Sequence, residues 1–208
     1  MDLYPDELAA TVCGRISVRT NDDCRYFTDK YQFMPKKGYT KMFEKMLTHK
    51  NIEILLNTDY KTILNEVQLN KMIYTGPIDY FFDYLFGKLP YRPIRFEFEK
   101  CDKSFYQSVA QVHCVDNYDQ FTRIVEHKYL SGQSSNCTII SKEYPQFSGE
   151  PFYPIPNEKN KNIFENYKIE AEKLNNLFFC GRLAEYQYYN MDHVVTNTFK
   201  LLNTISNG

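Results

Sequence analysis

The sequence predicts a mixed α/β protein with a mainly antiparallel sheet in its middle and a closing strand–helix unit near its C-terminus. Alternating apolar and charged residues at 94–99 are typical of a half-buried strand, and similar segments follow at intervals that suit an antiparallel sheet. Later, an apolar run at 177–180 ends at Gly181 and is followed by apolar residues at helical spacing. These two patterns define the expected fold class.

The N-terminal part is predicted to be helical and irregular. Residues 5–13 begin with proline and two acidic residues and stop before a glycine, which is typical of a short helix. Residues 15–37 lack a regular apolar period and are predicted to form a long loop. Residues 38–49 carry apolar side chains at helical spacing, so we expect an amphipathic helix there.

The next elements are short and apolar. The runs at 51–57 and 72–75 are each predicted to form a strand, the second ending at a Gly-Pro turn. Residues 78–86 are predicted to be helical because two aspartates lie four positions apart. The strands of the sheet are then expected at 94–99, 108–113, 121–129 and 138–144.

The C-terminal part changes character after a proline-rich crossing at 151–156. Apolar residues at i, i+4 and i+8 from Ile163 predict a helix, and 177–180 is predicted to be a buried strand. Asn190 is a suitable N-cap for a last helix. Its predicted apolar face consists of Met191, Val194, Val195, Thr198, Phe199 and Leu202.

Composition excludes several classes of protein. The 208 residues include 25 Lys and Arg against 26 Asp and Glu, so the net charge of -1 provides no basic field for nucleic acid. The longest apolar runs are far shorter than the roughly 20 residues that a membrane-spanning helix needs. The acidic start lacks the features of a signal peptide, so we expect a cytoplasmic protein. The six cysteines and four histidines show no metal-site spacing, and no metal is expected.

Arginines near tyrosines are the candidate ligand-binding groups. The chain has 18 Tyr and 16 Phe, which suits a ligand cleft or ordinary half-buried positions. Arg15 follows the end of the first predicted helix, Arg123 lies inside a predicted strand, and Arg182 follows the break after another predicted strand. A guanidinium matches two phosphate oxygens, although an arginine taken alone is more often part of a surface ion pair. Gly-rich phosphate loops such as GxGxxG are absent from the 208 residues.

Six collinear strings narrow these alternatives. They are YF with KKGYTKMF (26–27, 36–43), YTGPID (74–79), FTRIVEHK (121–128), KEY (142–144), YPI (153–155), and GRL with YQYYNMD (181–183, 186–192). Together they closely resemble the bacterial UDP-galactopyranose mutases over essentially the whole chain. The last string is the most specific.

The resemblance implies an FAD-dependent isomerase that interconverts UDP-galactopyranose and UDP-galactofuranose for cell-wall and lipopolysaccharide glycans. In that family, N5 of the reduced flavin attacks the anomeric carbon, UDP leaves, the sugar ring opens and recloses, and UDP returns. The implied fold joins an antiparallel substrate-side sheet to the closing βα portion of a Rossmann-like FAD-binding domain. The strings correspond to the C-terminal half to three-fifths of the family's chain, so the N-terminal nucleotide-binding part is expected to be missing.

Site residues follow from the same resemblance. Arg15 and Arg123 correspond to the arginines that bind the diphosphate, the first on a mobile loop and the second on the sheet. Tyr26, Tyr153 and Tyr188 correspond to tyrosines that contact the substrate. These arginines are therefore the expected catalytic groups, because they would stabilise the charge on departing UDP.

Four further positions correspond to residues beside the flavin, namely Gly181, Arg182, Asn190 and Met191. Asn190 stands where the family has aspartate, and His113-Cys114 stands where Asn-Tyr is expected. Ala184-Glu185 replaces Gly-Thr, which brings a carboxyl near the site unless it points to solvent.

The resemblance also implies a domain organisation and partners. Residues 1–37 would end a helical domain and form the mobile loop, 38–76 would return to the FAD domain, 77–147 would form the substrate domain, and 148–208 would close the FAD domain. The expected partner is UDP-galactose, with no nucleic acid or membrane and with a homodimer for the full-length enzyme. The alternatives are a non-catalytic remnant that binds a UDP-sugar or no ligand, and a tyrosine-rich interaction domain.

Overall fold

The computed structural model describes residues 20–22, 27, 29–114 and 120–207. The chain divides into two compact units, which are described separately. Unit 1 comprises Met1–Phe27, Leu69–Pro93 and Gln146–Gly208, and unit 2 comprises Thr28–Gln68 and Ile94–Pro145. The predicted mixed α/β class with antiparallel strands is confirmed. The predicted domain boundaries at residues 37, 76 and 147 stay predictions.

Unit 2 contains a four-stranded antiparallel sheet in the order β3-β6-β5-β4. Its elements, with our labels, are α1 (Gly38–Met46), α2 (Tyr60–Ile63), β3 (Ile94–Cys101), β4 (Gln111–His113), β5 (Arg123–Glu126), α4 (His127–Ser131) and β6 (Thr138–Pro145). The predicted helix at 38–49 is therefore confirmed with a shorter C-terminal end. The predicted strands at 94–99 and 138–144 are also confirmed.

Three expectations for unit 2 are wrong in part or whole. Residues 51–57 form no strand, because no neighbouring strand supplies hydrogen bonds to that segment in the described part of the chain. The strand expected through 121–129 ends at Glu126 and continues as α4, which Gly132 terminates in a left-handed conformation (φ 66°). Strand β4 covers only 111–113 of the expected 108–113.

The apolar face of β3 is more exposed than its alternating pattern predicts. Phe96 is 40% exposed and Phe98 is 68% exposed in the described structure. Alternation predicts correctly that both side chains lie on one face of the sheet. It does not predict whether another element packs against that face. The strand is thus confirmed and its predicted half-burial is not.

Unit 1 is assembled from segments far apart in sequence. Its elements are β1 (Met72–Tyr74), α3 (Ile78–Phe81), β2 (Tyr91–Arg92), β7 (Tyr153–Pro154), α5 (Glu158–Glu172), β8 (Leu177–Phe179) and α6 (Met191–Asn207). Strand β1 pairs with β8 in parallel, and β2 pairs with β7 antiparallel. The predicted strands at 72–75 and 177–180 and both C-terminal helices are confirmed, whereas the predicted helix at 78–86 is shorter.

The shortening of that helix has a local backbone cause. Asp83 and Tyr84 take left-handed conformations with φ of 51° and 61°, which a right-handed helix excludes. The four residues of α3 still position two buried side chains, Ile78 and Asp79. The four-residue spacing of Asp79 and Asp83 predicted a longer helix, but Asp83 lies outside the helix.

An aromatic core joins the segments of unit 1. Ile78, Leu89, Tyr167 and Tyr186 are all buried and form one cluster. The Tyr167 hydroxyl donates to the Gly87 carbonyl at 2.7 Å. It also accepts from the Phe86 N–H at 3.0 Å. Buried hydroxyls that satisfy backbone groups in this way fix irregular segments in one conformation.

Candidate functional site

Two predicted tyrosines form a stacked pair in unit 1. Tyr153 lies on β7, where its register partner on β2 is Arg92, and Tyr188 lies in the segment between β8 and α6. Their ring centroids are 5.1 Å apart with an angle of 13° between the planes. We call Tyr153 and Tyr188 the tyrosine pair. The structure thus joins two residues that are 35 positions apart in sequence.

The guanidinium of Arg182 lies over both rings of the tyrosine pair. Its Cζ atom is 5.2 Å from the centroid of Tyr153 and 5.4 Å from that of Tyr188, within the range of cation–π contacts. Its Nη2 donates to the Tyr189 carbonyl at 2.5 Å. Within the described residues, the ion pairs include none that joins Arg182 to a carboxylate. The charge of this guanidinium therefore meets rings and a carbonyl dipole.

Backbone turns after β8 bring Arg182 to this position. Gly181 has φ of 99°, a conformation that favours glycine, and it separates the strand from the turn. The Glu185 N–H donates to the Gly181 carbonyl at 2.9 Å, and the Gln187 N–H donates to the Arg182 carbonyl at 3.1 Å. Residues 181–189 consequently form one compact hydrogen-bonded segment, which we call the 181–189 segment.

The carboxylate of Glu185 points into this segment. Its Oε2 accepts from the Gly181 N–H at 2.7 Å, and its Oε1 accepts from the Tyr189 hydroxyl at 3.4 Å. Burial raises the pKa of Tyr189, and the negative charge of Glu185 raises it further. Of the two orientations that the sequence left open for the Glu185 carboxyl, the structure shows the inward one.

Tyr186 connects the 181–189 segment to the core of unit 1. The Tyr186 hydroxyl donates to the Pro90 carbonyl at 2.5 Å, and the Tyr186 ring meets the edge of Tyr91 at a centroid distance of 5.3 Å. Burial raises the pKa of both phenols well above the ordinary range, so they stay protonated as donors. Tyr186 therefore anchors the segment whose neighbours Arg182 and Tyr188 form the site.

Arg123 lies in unit 2 and has a different environment. It is the first residue of β5 and pairs in register with Glu143 on β6. Its Nη2 donates to Glu143 Oε2 at 2.5 Å, and the side chains of Arg123 and Glu143 are only 28% and 8% exposed. The strand placement predicted for Arg123 is confirmed, while its predicted substrate contact is not tested by this geometry. No sequence signal indicated Glu143 as its partner, because register is a tertiary property.

The other predicted site residues flank the Arg182 cluster or lie elsewhere. Gly181 adjoins Arg182, the Asn190 carbonyl accepts the Val194 N–H at 3.2 Å, and Met191 begins α6 with a largely exposed side chain. Arg15 and Tyr26 lie outside the residues that the structure describes. The structure therefore brings together Tyr153, Tyr188 and Arg182.

Sequence reasoning missed one contributor and did not assign a role to another. Tyr189 provides the carbonyl that holds Arg182, and Glu185 provides the acceptors for Gly181 and Tyr189. The charged substitution at position 185 was the available signal, but its direction was not decided by sequence. A backbone carbonyl has no residue-type signature, so Tyr189 could not be identified in this way.

A separate cleft of about 1130 Å³ also lies in unit 1. It is lined by residues of 77–93 and 146–160 together with Leu183, and the buried Asp79 contributes to its wall. The lining includes neither member of the tyrosine pair and does not include Arg182. Tyr153, Tyr188 and Arg182 therefore do not line this cleft, although Phe152 and Leu183, which adjoin two of them in sequence, do.

Two features of the described residues are compatible with the edge of a flat cofactor ring. An added Cβ at Gly181 would meet no atom within 4 Å, so backbone and ligand can approach closely there. The first turn of α6 presents N–H groups that have no partner within their own helix, which suits an acceptor atom. The 208 residues contain no Gly-rich pyrophosphate loop, so the fit extends to a ring edge and not to a whole dinucleotide.

The described residues include neither a cluster of metal ligands nor a membrane-spanning helix. No group of three or more His, Cys, Asp or Glu side chains could hold a metal ion within the described ranges. Among the helices that the structure describes, none has the length and apolar character to cross a bilayer.

Comparison with known proteins identifies the family. A model of the UDP-galactopyranose mutase family matches residues 1–188. A probable UDP-galactopyranose mutase of Klebsiella pneumoniae is 38% identical over 95% of this chain and 52% of its own length. The dTDP-fucopyranose mutase of Escherichia coli is 33% identical over 91% of this chain and 53% of its own length.

A third relative has the same coverage. The UDP-galactopyranose mutase of Mycoplasma genitalium is 35% identical over 91% of this chain and 51% of its own length. The chain thus spans about half the length of these curated relatives. The family resemblance predicted from the six strings is confirmed, and this chain belongs to the UDP-galactopyranose mutase family.

Proposed function

We propose that this chain forms the diphosphate-binding and flavin-edge part of an isomerase that interconverts UDP-galactopyranose and UDP-galactofuranose. The observation that carries this proposal is the Arg182 guanidinium over the tyrosine pair. Family membership supports an isomerase, and the names of the relatives support a nucleoside diphosphate sugar as the substrate.

The electrostatics of the Arg182 cluster support an anionic ligand. A guanidinium that meets aromatic faces keeps its positive charge, and its planar fork matches two phosphate oxygens. Tyr153 and Tyr188 add phenol groups that can donate to a phosphate. Bound in this way, the departing UDP would have its negative charge stabilised by groups that are already in position.

FAD is the proposed cofactor, and in its reduced form it would supply the nucleophile for the anomeric carbon of the sugar. Gly181, Asn190 and Met191 are proposed to lie along the flavin edge, and Arg182 is proposed to lie beside it, where its guanidinium also reaches the diphosphate. The parallel pairing of β1 with β8 is compatible with a Rossmann-like FAD domain, to which this chain would contribute the closing part. The upstream nucleotide-binding part would complete the site.

The remaining residues and partners are part of the same proposal. Arg15, Tyr26 and Arg123 are proposed to contact the substrate in the complete enzyme, with the two arginines acting on the diphosphate. Arg123 would then have to bind a phosphate either while it keeps its ion pair with Glu143 or after it releases that carboxylate. We further propose a cytoplasmic homodimer that uses UDP-galactose and binds neither nucleic acid nor membrane.

Titration of the purified chain with UDP tests the proposal. A charge-assisted hydrogen bond contributes about 1.5–3 kcal/mol, so Arg182→Ala should weaken UDP binding by about 10- to 100-fold in calorimetry. Arg95→Ala is the matched control, because Arg95 also lies over a tyrosine ring, at 4.0 Å from Tyr144, but pairs with Glu97. The control should bind UDP like the unaltered chain. Equal affinity in Arg182→Ala, or no saturable binding of UDP by the unaltered chain, would contradict the proposal.

A further inference from the structure

We propose that Glu185 is a positioning residue, whose carboxylate ties Gly181 to Tyr189 and thereby holds the Arg182 guanidinium over the tyrosine pair. The use of that guanidinium for a diphosphate rests on the proposed function above. The positioning itself depends only on contacts within the 181–189 segment.

The carboxylate closes this segment at both ends. One oxygen accepts the Gly181 N–H at 2.7 Å, where the chain leaves β8, and the other accepts the Tyr189 hydroxyl at 3.4 Å, near the start of α6. Glu185 is half-buried, so these contacts face little competition from water. A single side chain thus connects the entry and the exit of the segment.

Arg182 depends on the exit of the segment for its orientation. Its guanidinium donates to the Tyr189 carbonyl at 2.5 Å, so any displacement of Tyr189 displaces the hydrogen-bond acceptor of Arg182. A free arginine side chain loses about 2 kcal/mol of rotamer entropy when it is ordered. Because the segment already holds the Tyr189 carbonyl in place, Arg182 is partly ordered before a ligand binds. Ligand binding then loses less of the rotamer entropy of Arg182.

Glu185 positions Arg182 without neutralising it. The ion pairs of the described residues include no contact between these two side chains. The carboxylate is instead satisfied by an amide N–H and a phenol, which are neutral donors. The Gly181 N–H is consequently occupied, and an anionic ligand at this site has to be bound by the guanidinium rather than by that amide.

Side-chain NMR of Arg182 tests the inference without any ligand. In the unaltered chain, the Arg182 Nη2–H that donates to the Tyr189 carbonyl should give a resolved and slowly exchanging signal, and Glu185→Ala should shift and broaden it. Glu185→Gln retains an acceptor for the Gly181 N–H and should restore the signal. Glu170→Ala is the control, because Glu170 pairs with Lys173 at the C-terminal end of α5, away from the 181–189 segment in sequence. An unchanged Arg182 signal in Glu185→Ala, or loss of the signal in Glu185→Gln as well, would overturn the inference.

UDP titration separates this inference from the proposed function. If both hold, Glu185→Ala weakens UDP binding by about tenfold while Glu185→Gln binds like the unaltered chain. If Arg182→Ala weakens binding and Glu185→Ala does not, the inference fails and the proposed function stands. If the Arg182 signal responds as expected but UDP binding is absent, the positioning stands and the proposed function fails.

Discussion

Units 1 and 2 treat buried charge in opposite ways. In unit 2, the fully buried Glu126 accepts from the N–H groups of Tyr106 and Gln107 at 3.0–3.1 Å. The buried Lys128 donates to the carbonyls of Ser104 and Ser135 at 2.6 and 2.7 Å. Each of these charges is therefore surrounded by partners that stabilise its ionised form.

In unit 1, Asp79 and Arg182 have fewer hydrogen-bond partners that stabilise their charge. The buried Asp79 accepts the Leu89 N–H at 2.9 Å through Oδ2, while its Oδ1 meets no donor at good geometry within the described residues. Arg182 lies on two rings and one carbonyl. The difference teaches that the buried charges of unit 2 are held by backbone groups of the fold, whereas the Arg182 guanidinium of unit 1 keeps the positive charge that the proposed function requires.

The largest expected effect is on the stability of unit 2. Glu126→Ala removes the fully buried carboxylate that accepts the N–H groups of Tyr106 and Gln107, so the free energy of unfolding should fall by about 3 kcal/mol. Urea unfolding followed by amide signals of β5 and β6 measures this loss. Glu99→Ala serves as control, because its ion pair with Lys142 is exposed and should contribute less than about 1 kcal/mol. Equal losses in the two variants would remove the distinction that we draw for unit 2.

A smaller loss is expected for a buried hydroxyl of unit 1. Tyr186→Phe removes the donor to the Pro90 carbonyl and should lower the free energy of unfolding by about 2 kcal/mol. Tyr31→Phe, at a side chain that is 74% exposed, should change it by less than about 0.5 kcal/mol. The measurement is urea unfolding followed by amide signals of α5. A Tyr186→Phe variant as stable as the unaltered chain would show that the phenols of unit 1 do not anchor its loops.

Arg182 should matter less for stability than for binding. Its cation–π contacts contribute about 0.5–1 kcal/mol at partly exposed sites, so Arg182→Ala should lower the free energy of unfolding by about 1 kcal/mol. Urea unfolding of Arg182→Ala and Arg95→Ala should give similar small losses. A loss above about 3 kcal/mol in Arg182→Ala alone would assign this arginine to the fold, as for the charges of unit 2.

The smallest expected effects are opposite pH dependences. Burial raises the pKa of Asp79 above its ordinary value of 3.8, so ionisation of this carboxyl opposes folding. The free energy of unfolding therefore falls as pH rises from 3.8 to the folded-state pKa of Asp79. For Glu126, burial acts to raise the pKa, but the N–H groups of Gln107 and Tyr106, with Thr138 and Lys128, lower it below 4.5 overall. Its contribution is present above that value and is lost as pH falls through the folded-state pKa.

Unfolding measured between about pH 3 and pH 7 distinguishes the two carboxylates. Relative to the unaltered chain, Asp79→Asn should become more stable as pH rises, because it removes an ionisation that opposes folding. Glu126→Gln should become less stable as pH rises, because it removes one that favours folding. Differences of the same sign for both variants would contradict the contrast between the units.

The sequence predicted elements whose pattern is local. Alternation identified β3, strand spacing along the chain identified β6, helical spacing identified α1, α5 and α6, and the six strings identified the family without any contact information. It failed at 51–57, where an apolar run has no pairing strand among the described residues, and at Asp83, where a left-handed backbone prevents the helix from continuing. A strand needs a hydrogen-bonding neighbour, and no local pattern reports whether one exists.

By itself, the sequence determined the secondary structure of its periodic segments, its family and the residue types available for a phosphate site. The tertiary structure decided which of these residues meet: Tyr153 with Tyr188, Arg182 over both, Arg123 with Glu143, and the inward direction of Glu185. The physical reason is that periodicity reflects interactions within a few residues. Strand register and ring stacking join groups that are 20 to 35 positions apart, and their geometry is fixed only when the whole unit packs.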